Sequence, residues 1–533
     1  MTATSPPAAL SRPAVTSRPA LVVVYAAVLV CAACGLLYEL ALVALGGYLI
    51  GSSIEQTAIV ISVSMFAMGV GALIAKPLIA RPLRAFVSVE FALALLGAAA
   101  VPLLYWSFAW LHVYTAVMVV VAFAIGCLVG AEVPLLVELL QRLRPKQASH
   151  EIANLNAVDY LGALLGGLAF PFLLLPTLGL LVGTIAIAAL NVVAALVVAY
   201  AVSRTLPPGR GRRWLPAAYA VGAVLLGLFA AAAARADEFE LSARQMLFRD
   251  PIIKAERSKY QDIVITRGAP FGAQHQDVRL FLNGDLQLSS IDEYRYHELL
   301  VHPALDGRRS RVLILGGGDG LALREVLRYR DVQSATLVDL DDAVVGLARR
   351  FAPLRDLNDG AFEDPRVRYV AADAFTWVRD EQRRGTEFDA VIVDFPDPDA
   401  TETAKLYSVE MYAMLRRLLA PGGHMAVQSG SPFFGPNAFW SIHNTLRAAG
   451  LSAVPYHADV PSFGDWGFNL VADGRPPSPT LRELPPGLRY LTPATWEAAK
   501  AFAPDRARRA DVGVSTLLRP RILDYSREPW VGY

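Results

Sequence analysis

The sequence predicts two unlike halves: an N-terminal α-helical transmembrane bundle, and a small antiparallel β domain followed by a doubly wound, Rossmann-like α/β domain. Three observations predict this. Hydrophobic residues make up 54% of the 533, with mean hydropathy +0.39, and they concentrate before about Ala234. From Pro251 onward the texture changes to short alternating strands around an Asn-Gly turn. Beyond that, apolar strands alternate with helical stretches, the pattern of a parallel sheet covered on both faces. The expected organisation is a disordered lead (1–20), the bundle (21–235), the β domain (251–290), the α/β domain (291–475) and a C-terminal extension (476–533).

The lead is rich in Pro, Ser and Ala, and the apolar run after it is too long for a cleavable signal. Seven stretches, near 21–45, 57–78, 85–107, 112–134, 156–176, 178–202 and 214–235, reach the roughly 20 apolar residues that a helix needs to cross a bilayer. The lipid bilayer is therefore an expected partner. Small residues at Gly69, Gly71, Gly162, Gly166 and Gly167 allow close helix packing. Lys and Arg fall in the lead (Arg12, Arg18) and in alternate loops: Lys76, Arg81, Arg84; Arg142, Arg144, Lys146; Arg204, Arg210, Arg212, Arg213. That bias sets the N-terminus in the cytoplasm, and seven crossings then deliver the C-terminal half to the other side. Glu39, Glu132, Glu138 and Asp159 lie in or beside the spans. An ionisable group at that depth is either a polar contact between helices or part of a cation path.

Formal net charge is +1, and no basic stripe carries interleaved aromatics, so nucleic acid is set aside as a partner. The three cysteines, Cys31, Cys34 and Cys127, all lie in hydrophobic runs, which leaves the second half without a disulfide or zinc framework. No metal site is expected.

In that half, strands are expected at 252–256, 261–266, 277–282 and 285–288, with Asn283-Gly284 as the hairpin turn, then a helix over 294–302. The strand 311–315 runs into Gly316-Gly-Gly-Asp319-Gly320 and a helix. A glycine turn between strand and helix lets the backbone approach a ligand beside a helix N-terminus, which assigns Gly316 and Gly318 to binding. The next strand ends in Asp339, placed to hold ribose hydroxyls, and the third ends in Asp373-Ala374, placed for an adenine amino group. Acids at strand ends also serve as plain turn formers. The full G-x-G-x-x-G grip and the Walker lysine are missing, so an adenosine without a diphosphate, a sulfonium nucleoside, fits best.

The fourth strand ends in Asp394-Phe-Pro-Asp397-Pro398. Two carboxylates at the carboxyl end of a strand, joined by Asp319, make an acidic pocket suited to a cationic amine. The same pocket repels the carboxylate of ordinary S-adenosylmethionine. Asp397 before Pro398 is alternatively a turn opener.

Tyr260-Gln261-Asp262, Asn283-Gly-Asp-Leu-Gln287, Asp292-Glu-Tyr-Arg-Tyr296-His297-Glu298, Gly316–Gly320, Val338-Asp-Leu-Asp341 and Asp394-x-x-Asp397-Pro398 together resemble the ordered motifs of spermidine synthases. The resemblance covers roughly residues 252–475, and the apolar first half is similar to the membrane-spanning bacterial members of that family. It implies a methyltransferase-type α/β fold. It also implies transfer of the aminopropyl group of decarboxylated S-adenosylmethionine to putrescine, giving spermidine and methylthioadenosine with no separate cofactor. By the same resemblance Gln261, Asp339, Asp373 and Ala374 would hold the donor nucleoside and Asp319 its amine. Tyr296 and Asp397 would hold the acceptor, Asp394 would be the general base, and His297 and Gln287 would line the cleft. A homodimer is also implied.

Asp339 stands where the family has Glu, Ala374 where it has Gly, and Phe463 where the soluble enzymes have a tyrosine near the acceptor; Asp399–Lys405 replaces a Gly-Pro. Two other classes stay open: an ordinary methyltransferase of the same fold, and a polyamine-binding transporter or sensor. A cell-membrane, multi-pass protein with a cytoplasmic catalytic domain is what catalysis expects, because the donor is cytosolic; the loop charges with seven spans imply the opposite side.

Overall fold

The computed structural model describes residues 18–50, 53–111, 113–143, 148–205, 212–269, 276–481, 483–509 and 511–527. Arg12 in the lead, Arg144, Lys146, Arg210 and the last six residues of the extension lie outside them. The chain divides into two compact units, Met1–Arg249 and Asp250–Tyr533.

The first unit is helical: α1 (Arg18–Ile50), α2 (Ser53–Ile74), α3 (Pro82–Trp106), α4 (Tyr114–Leu143), α5 (Ala148–Ala169), α6 (Leu175–Ser203), α7 (Leu215–Ala234) and the short α8 (Ala236–Leu247). Among the described residues six stretches are long and apolar enough to cross a membrane, against the seven expected. The difference lies in Ile152–Ser203, where the stretches expected at 156–176 and 178–202 join into 52 helical residues. No polar loop separates them. The chain passes through a wide turn at Phe170–Leu174 and changes direction where Gly179 takes φ 69° and ψ −174°. At 1.5 Å per residue a straight helix of that length would measure about 78 Å, far beyond a hydrocarbon core of about 30 Å.

Two apolar cores lie at opposite ends of the bundle. One joins the start of α1 (Val24, Val28), α3 (Leu83, Phe86), α5 (Leu155) and α7 (Ala218) with the end of α4 (Leu139) and α6 (Val202). The other joins the end of α1 (Leu45), the start of α2 (Val60), the end of α3 (Leu104), Phe170, Leu181 and Phe229. Successive helices therefore alternate in direction, and the chain enters at one end and leaves α7 at the other. Close packing runs through backbone: a Cβ at Gly71 or Gly130 would strike α4 or α2 carbonyls, and one at Gly162 or Gly166 would strike α1. Gly69, by contrast, meets nothing. Of the acids flagged in the sequence, Glu132 is buried, Glu39 and Asp159 are half-buried, and Glu138 pairs with Arg142 at 2.7 Å one turn on.

The second unit opens with an antiparallel sheet of β1 (Ile252–Arg257), β2 (Asp262–Gly268), β3 (Asp277–Leu282) and β4 (Asp285–Ser289), in that order. Asn283 (φ 53°) and Gly284 (φ 94°) make the tight hairpin turn. After α9 (Glu293–Val301) come β5 (Arg311–Gly316), α10 (Leu321–Leu327), β6 (Ser334–Asp339), α11 (Asp342–Arg350), α12 (Ala352–Leu357), β7 (Val367–Ala371), α13 (Ala374–Arg384), β8 (Phe388–Asp394), α14 (Thr401–Ala404), α15 (Val409–Leu418), β9 (Leu419–Gln428), α16 (Pro436–Ala448), β10 (Ser452–Val460) and β11 (Gly464–Ala472). The sheet order is β10-β11-β9-β8-β5-β6-β7, parallel from β9 to β7, with β11 and β10 antiparallel at one edge. The chain reverses its winding between β5 and β8, where such sheets open a crevice at the strand carboxyl ends. Register puts Gly316 beside Asp394, and Asp339 beside Ala371, at that edge.

Beyond the sheet, α17 (Pro493–Ala499) packs Trp496 against Tyr456, and α18 (Arg521–Ser526) follows. Glu298 of α9, 1% exposed, accepts the backbone amides of Arg489, Tyr490 and Leu491 at 2.8, 2.9 and 2.7 Å.

Candidate active site

The glycine turn after β5 brings backbone against two strand-end acids. Gly316 and Gly317 hold φ of 80° and 67°, and a Cβ on Gly316 would collide with the Asp394 carbonyl. A Cβ on Gly318 would lie 2.8 Å from Asp339 Oδ2. Only glycine lets the turn and both acids share this space. Asp319 closes the turn by accepting the Leu321 amide at 2.8 Å on Oδ1.

Asp339 accepts the Asp341 amide at 2.8 Å, and burial, with the charges of Asp341 and Asp319, raises its pKa to about 6. Asp341 in turn accepts Ser258 Oγ at 2.6 Å and Gln261 Nε2 at 2.8 Å, so Gln261 is tied to the Asp339 strand end through a residue to which the sequence assigns no role. Its signal was the Asp339-Leu-Asp341 spacing. Asp373 caps α13 through the Thr376 amide at 2.9 Å and pairs with Lys405 Nζ at 2.7 Å; Ala374 is buried as the first residue of that helix. Lys405 had no role assigned either, and it comes from the segment that departs from the family pattern.

On the opposite side, Tyr296 Oη donates to Asp394 Oδ1 at 2.6 Å. Burial raises the Asp394 pKa to about 6, with Asp319 adding to the rise and His297 and Tyr296 opposing it. Asp397 is also raised to about 6, by burial first and then by Asp399 and Asp285; Gln428 opposes. Gln428 Nε2 reaches Asp397 Oδ1 at 3.2 Å, the Phe395 carbonyl at 2.7 Å and Tyr407 Oη at 2.7 Å. Tyr407 donates to the Pro396 carbonyl at 2.9 Å. These two side chains fix the Asp394–Asp397 turn, and no local spacing announced them.

His297 stacks edge-on to Tyr296 and hydrogen-bonds Glu293 Oε2 through Nδ1 at 3.0 Å. Burial opposes a charge there, yet Glu293, with Asp319 and Asp394 beyond it, holds the imidazole pKa at about 9. Glu293 also pairs with Arg324 at 2.9 Å. Phe463 meets the Tyr296 ring at 6.1 Å and Trp466 at 5.1 Å. Gln287 lies on β4, where its amide donates to the Asp285 carbonyl at 3.3 Å; among the described residues no hydrogen bond joins it to the carboxylates.

The structure thus gathers Asp319, Asp339, Asp394 and Gly316–Gly318 at one sheet edge, with Tyr296, His297 and Asp397 across it. An anionic floor with one tyrosine-anchored carboxylate suits a cationic nucleophile that must shed a proton.

The spermine/spermidine synthase domain family matches residues 293–480. A polyamine aminopropyltransferase from Streptomyces coelicolor is 53% identical over 506 residues, covering 95% of this chain and 94% of its own. One from Mycobacterium tuberculosis is 46% identical over 509 residues, covering 94% and 95%. The crystal structure of the Thermotoga maritima spermidine synthase is 28% identical, covering 47% of this chain and 84% of its own, with a TM-score of 0.42. Identity of this degree along nearly the whole of both chains, helical half included, means that the chain belongs to the spermine/spermidine synthase family.

Proposed function

We propose that this polyamine aminopropyltransferase moves the aminopropyl group of decarboxylated S-adenosylmethionine to putrescine, giving spermidine and methylthioadenosine. The observation that carries the chemistry is Asp394, half-buried, raised to about 6 and anchored by Tyr296. At pH 7 such a carboxyl is about nine-tenths ionised, and an aliphatic amine with pKa near ~10 arrives protonated. Asp394 takes that proton. The freed nitrogen lone pair attacks the methylene carbon next to the sulfonium, the C–S bond breaks, and its electron pair leaves with sulfur as a neutral thioether. The sulfonium is already a good leaving group, so in-line placement is the remaining demand.

On this reading Gln261, Gly316, Gly318, Asp339, Asp373 and Ala374 bind the nucleoside and Asp319 its amine. Tyr296 and Asp397 receive the diamine; His297 and Gln287 line the cleft. The fixed turn held by Gln428 and Tyr407 supports Asp397 in that role. Lys405 on Asp373 competes with an adenine amino group, so donor entry would displace it.

The bundle is proposed to span the cell membrane. Support comes from helix length and apolarity, and from Lys76, Arg81, Arg84, Arg142, Arg204, Arg212 and Arg213, which sit in the α2–α3, α4 and α6–α7 ends that share one apolar core. A homodimer remains part of the proposal on family grounds.

The test is mass spectrometry of products from detergent-purified protein given the donor and a panel of diamines. Spermidine with methylthioadenosine is expected, and Asp394→Asn is expected to lower turnover by on the order of 10²–10⁴-fold while still binding donor. Donor binding without product for any diamine in the native protein would favour a binding or transport role.

A further inference from the structure

We propose that Cys31, Glu90 and Glu132 form a binding site for one divalent cation of the zinc class at the centre of the helical bundle. The three side chains come from α1, α3 and α4, are 1%, 0% and 4% exposed, and each offers a ligand atom within 4.8 Å of the other two. They sit at the level where the two apolar cores meet: Cys31 belongs to one core and Cys34 to the other, and Glu90 lies between Val89 and Leu93 in the same way.

Nothing at this level balances the acids. Both carboxylate oxygens of Glu90 and Oε1 of Glu132 have no hydrogen-bond partner, and no Lys or Arg is among the buried side chains of α1–α7 in the described residues. Two carboxylates facing each other at membrane depth need protons or a cation, because an uncompensated buried charge costs several kcal/mol. A separate observation points to the cation. The Tyr38 hydroxyl, 1% exposed and also without a partner, lies within electrostatic reach of Cys34, Glu90, Glu132 and Cys31. Its ring packs against Gly97, two turns along α3 from Glu90, so the hydroxyl would reach the ion only through a metal-bound water.

The donor set narrows the ion. Magnesium and calcium take oxygen alone, whereas a thiolate with two carboxylates suits the zinc class. Bonds of about 2.0–2.3 Å in a tetrahedron set ligand atoms roughly 3.3–3.8 Å apart, so binding draws the three side chains about 1 Å closer. Asp159, half-buried on α5 and within electrostatic range of Glu132, provides a carboxylate step towards the site. The sequence reading expected no metal: it flagged Glu132 but not Glu90, and the three ligands are too far apart in sequence for any spacing to show.

The test uses the full chain in detergent, stripped with chelator and titrated with Zn²⁺ and with Co²⁺. One zinc per chain retained after desalting is expected, with a near-ultraviolet thiolate band on cobalt binding. Cys31→Ser should abolish the band, and Tyr38→Phe should weaken zinc binding roughly tenfold, as loss of a supporting group does. Glu90→Gln and Glu132→Gln should weaken it further, each variant being checked for monodispersity. Should those variants not fold, the cobalt spectrum of the native chain decides alone. Absence of the thiolate band in the native chain, or zinc retained equally by a Cys31→Ser, Glu90→Gln double variant, would overturn the proposal and leave the acids as a protonated pair.

Discussion

Tyr296 Oη and Asp394 Oδ1 share a 2.6 Å hydrogen bond at the carboxyl end of β8. That bond favours the ionised carboxylate and so pulls the Asp394 pKa down against burial. The acid limb of the kcat/KM profile should therefore fall as pH drops through about 6. In Tyr296→Phe the carboxylate loses its donor, its pKa rises, and the limb should move up by about one pH unit. An unchanged limb would show that Asp394 is not the group that titrates.

Gly318→Ala tests the donor side. The new Cβ would sit 2.8 Å from Asp339 Oδ2 and 3.2 Å from Val345, against a carboxylate tied to the Asp341 amide. Expected is a rise in donor KM of at least about tenfold, equivalent to about 1.4 kcal/mol, with a smaller effect on kcat. Steady-state kinetics with donor varied at saturating diamine reads this directly. A loss confined to kcat would detach Asp339 from donor binding.

The Glu293–His297 pair predicts a pH window for stability. His297 has a folded pKa of about 9, above its usual ~6.5, so its stabilising charge is complete below pH ~6.5 and is lost as pH rises through about 9. Glu293 is held below the usual carboxylate range, so its share is present above ~4.5 and is lost on acidification. Thermal unfolding of the purified chain should show Tm declining from pH 7 to pH 9, and His297→Gln should flatten that slope. Equal slopes in both proteins would place the charge elsewhere.

Sidedness sets two arguments against each other. On the proposal that the bundle spans the membrane, alternating helices and basic connections at the entry end would put residues 236–533 on the non-cytoplasmic side. A cytosolic donor requires the cytoplasmic side. A reporter fused at Tyr533 and active only in the cytoplasm is the outcome that catalysis expects. Activity only outside would require the donor to be delivered there, and would count against the transfer reaction.

The placement of Asp339 and Asp373 was legible because each stands between a strand and a helix, a context that periodicity makes visible. The Asp394–Asp397 turn was legible for the same reason. What holds that turn was not: Gln428 and Tyr407 arrive from other elements, and contact across a sheet leaves no trace in local spacing. Glu293, which keeps His297 charged, is itself held by Arg324 from a different helix. In the bundle seven apolar stretches were countable, and the join at 170–179, with no polar residue beyond Thr177, is marked only by Pro171, Pro176 and Gly179, where the chain turns back without leaving helical structure. Glu138, flagged for depth, proved to be one half of a helix-surface ion pair.

The three amides that converge on Glu298 make the last segment of the chain inseparable from its chemistry. A protein shortened at residue 480, where the family match ends, would keep every proposed ligand of the substrates. It would also strand a buried anion next to His297 and two residues from Tyr296, and an ionised group left without donors reshapes its surroundings before it tolerates them. The smallest portable catalytic fragment thus extends past Leu491 into the tail, and transplanting this enzyme onto another anchor means carrying that tail along.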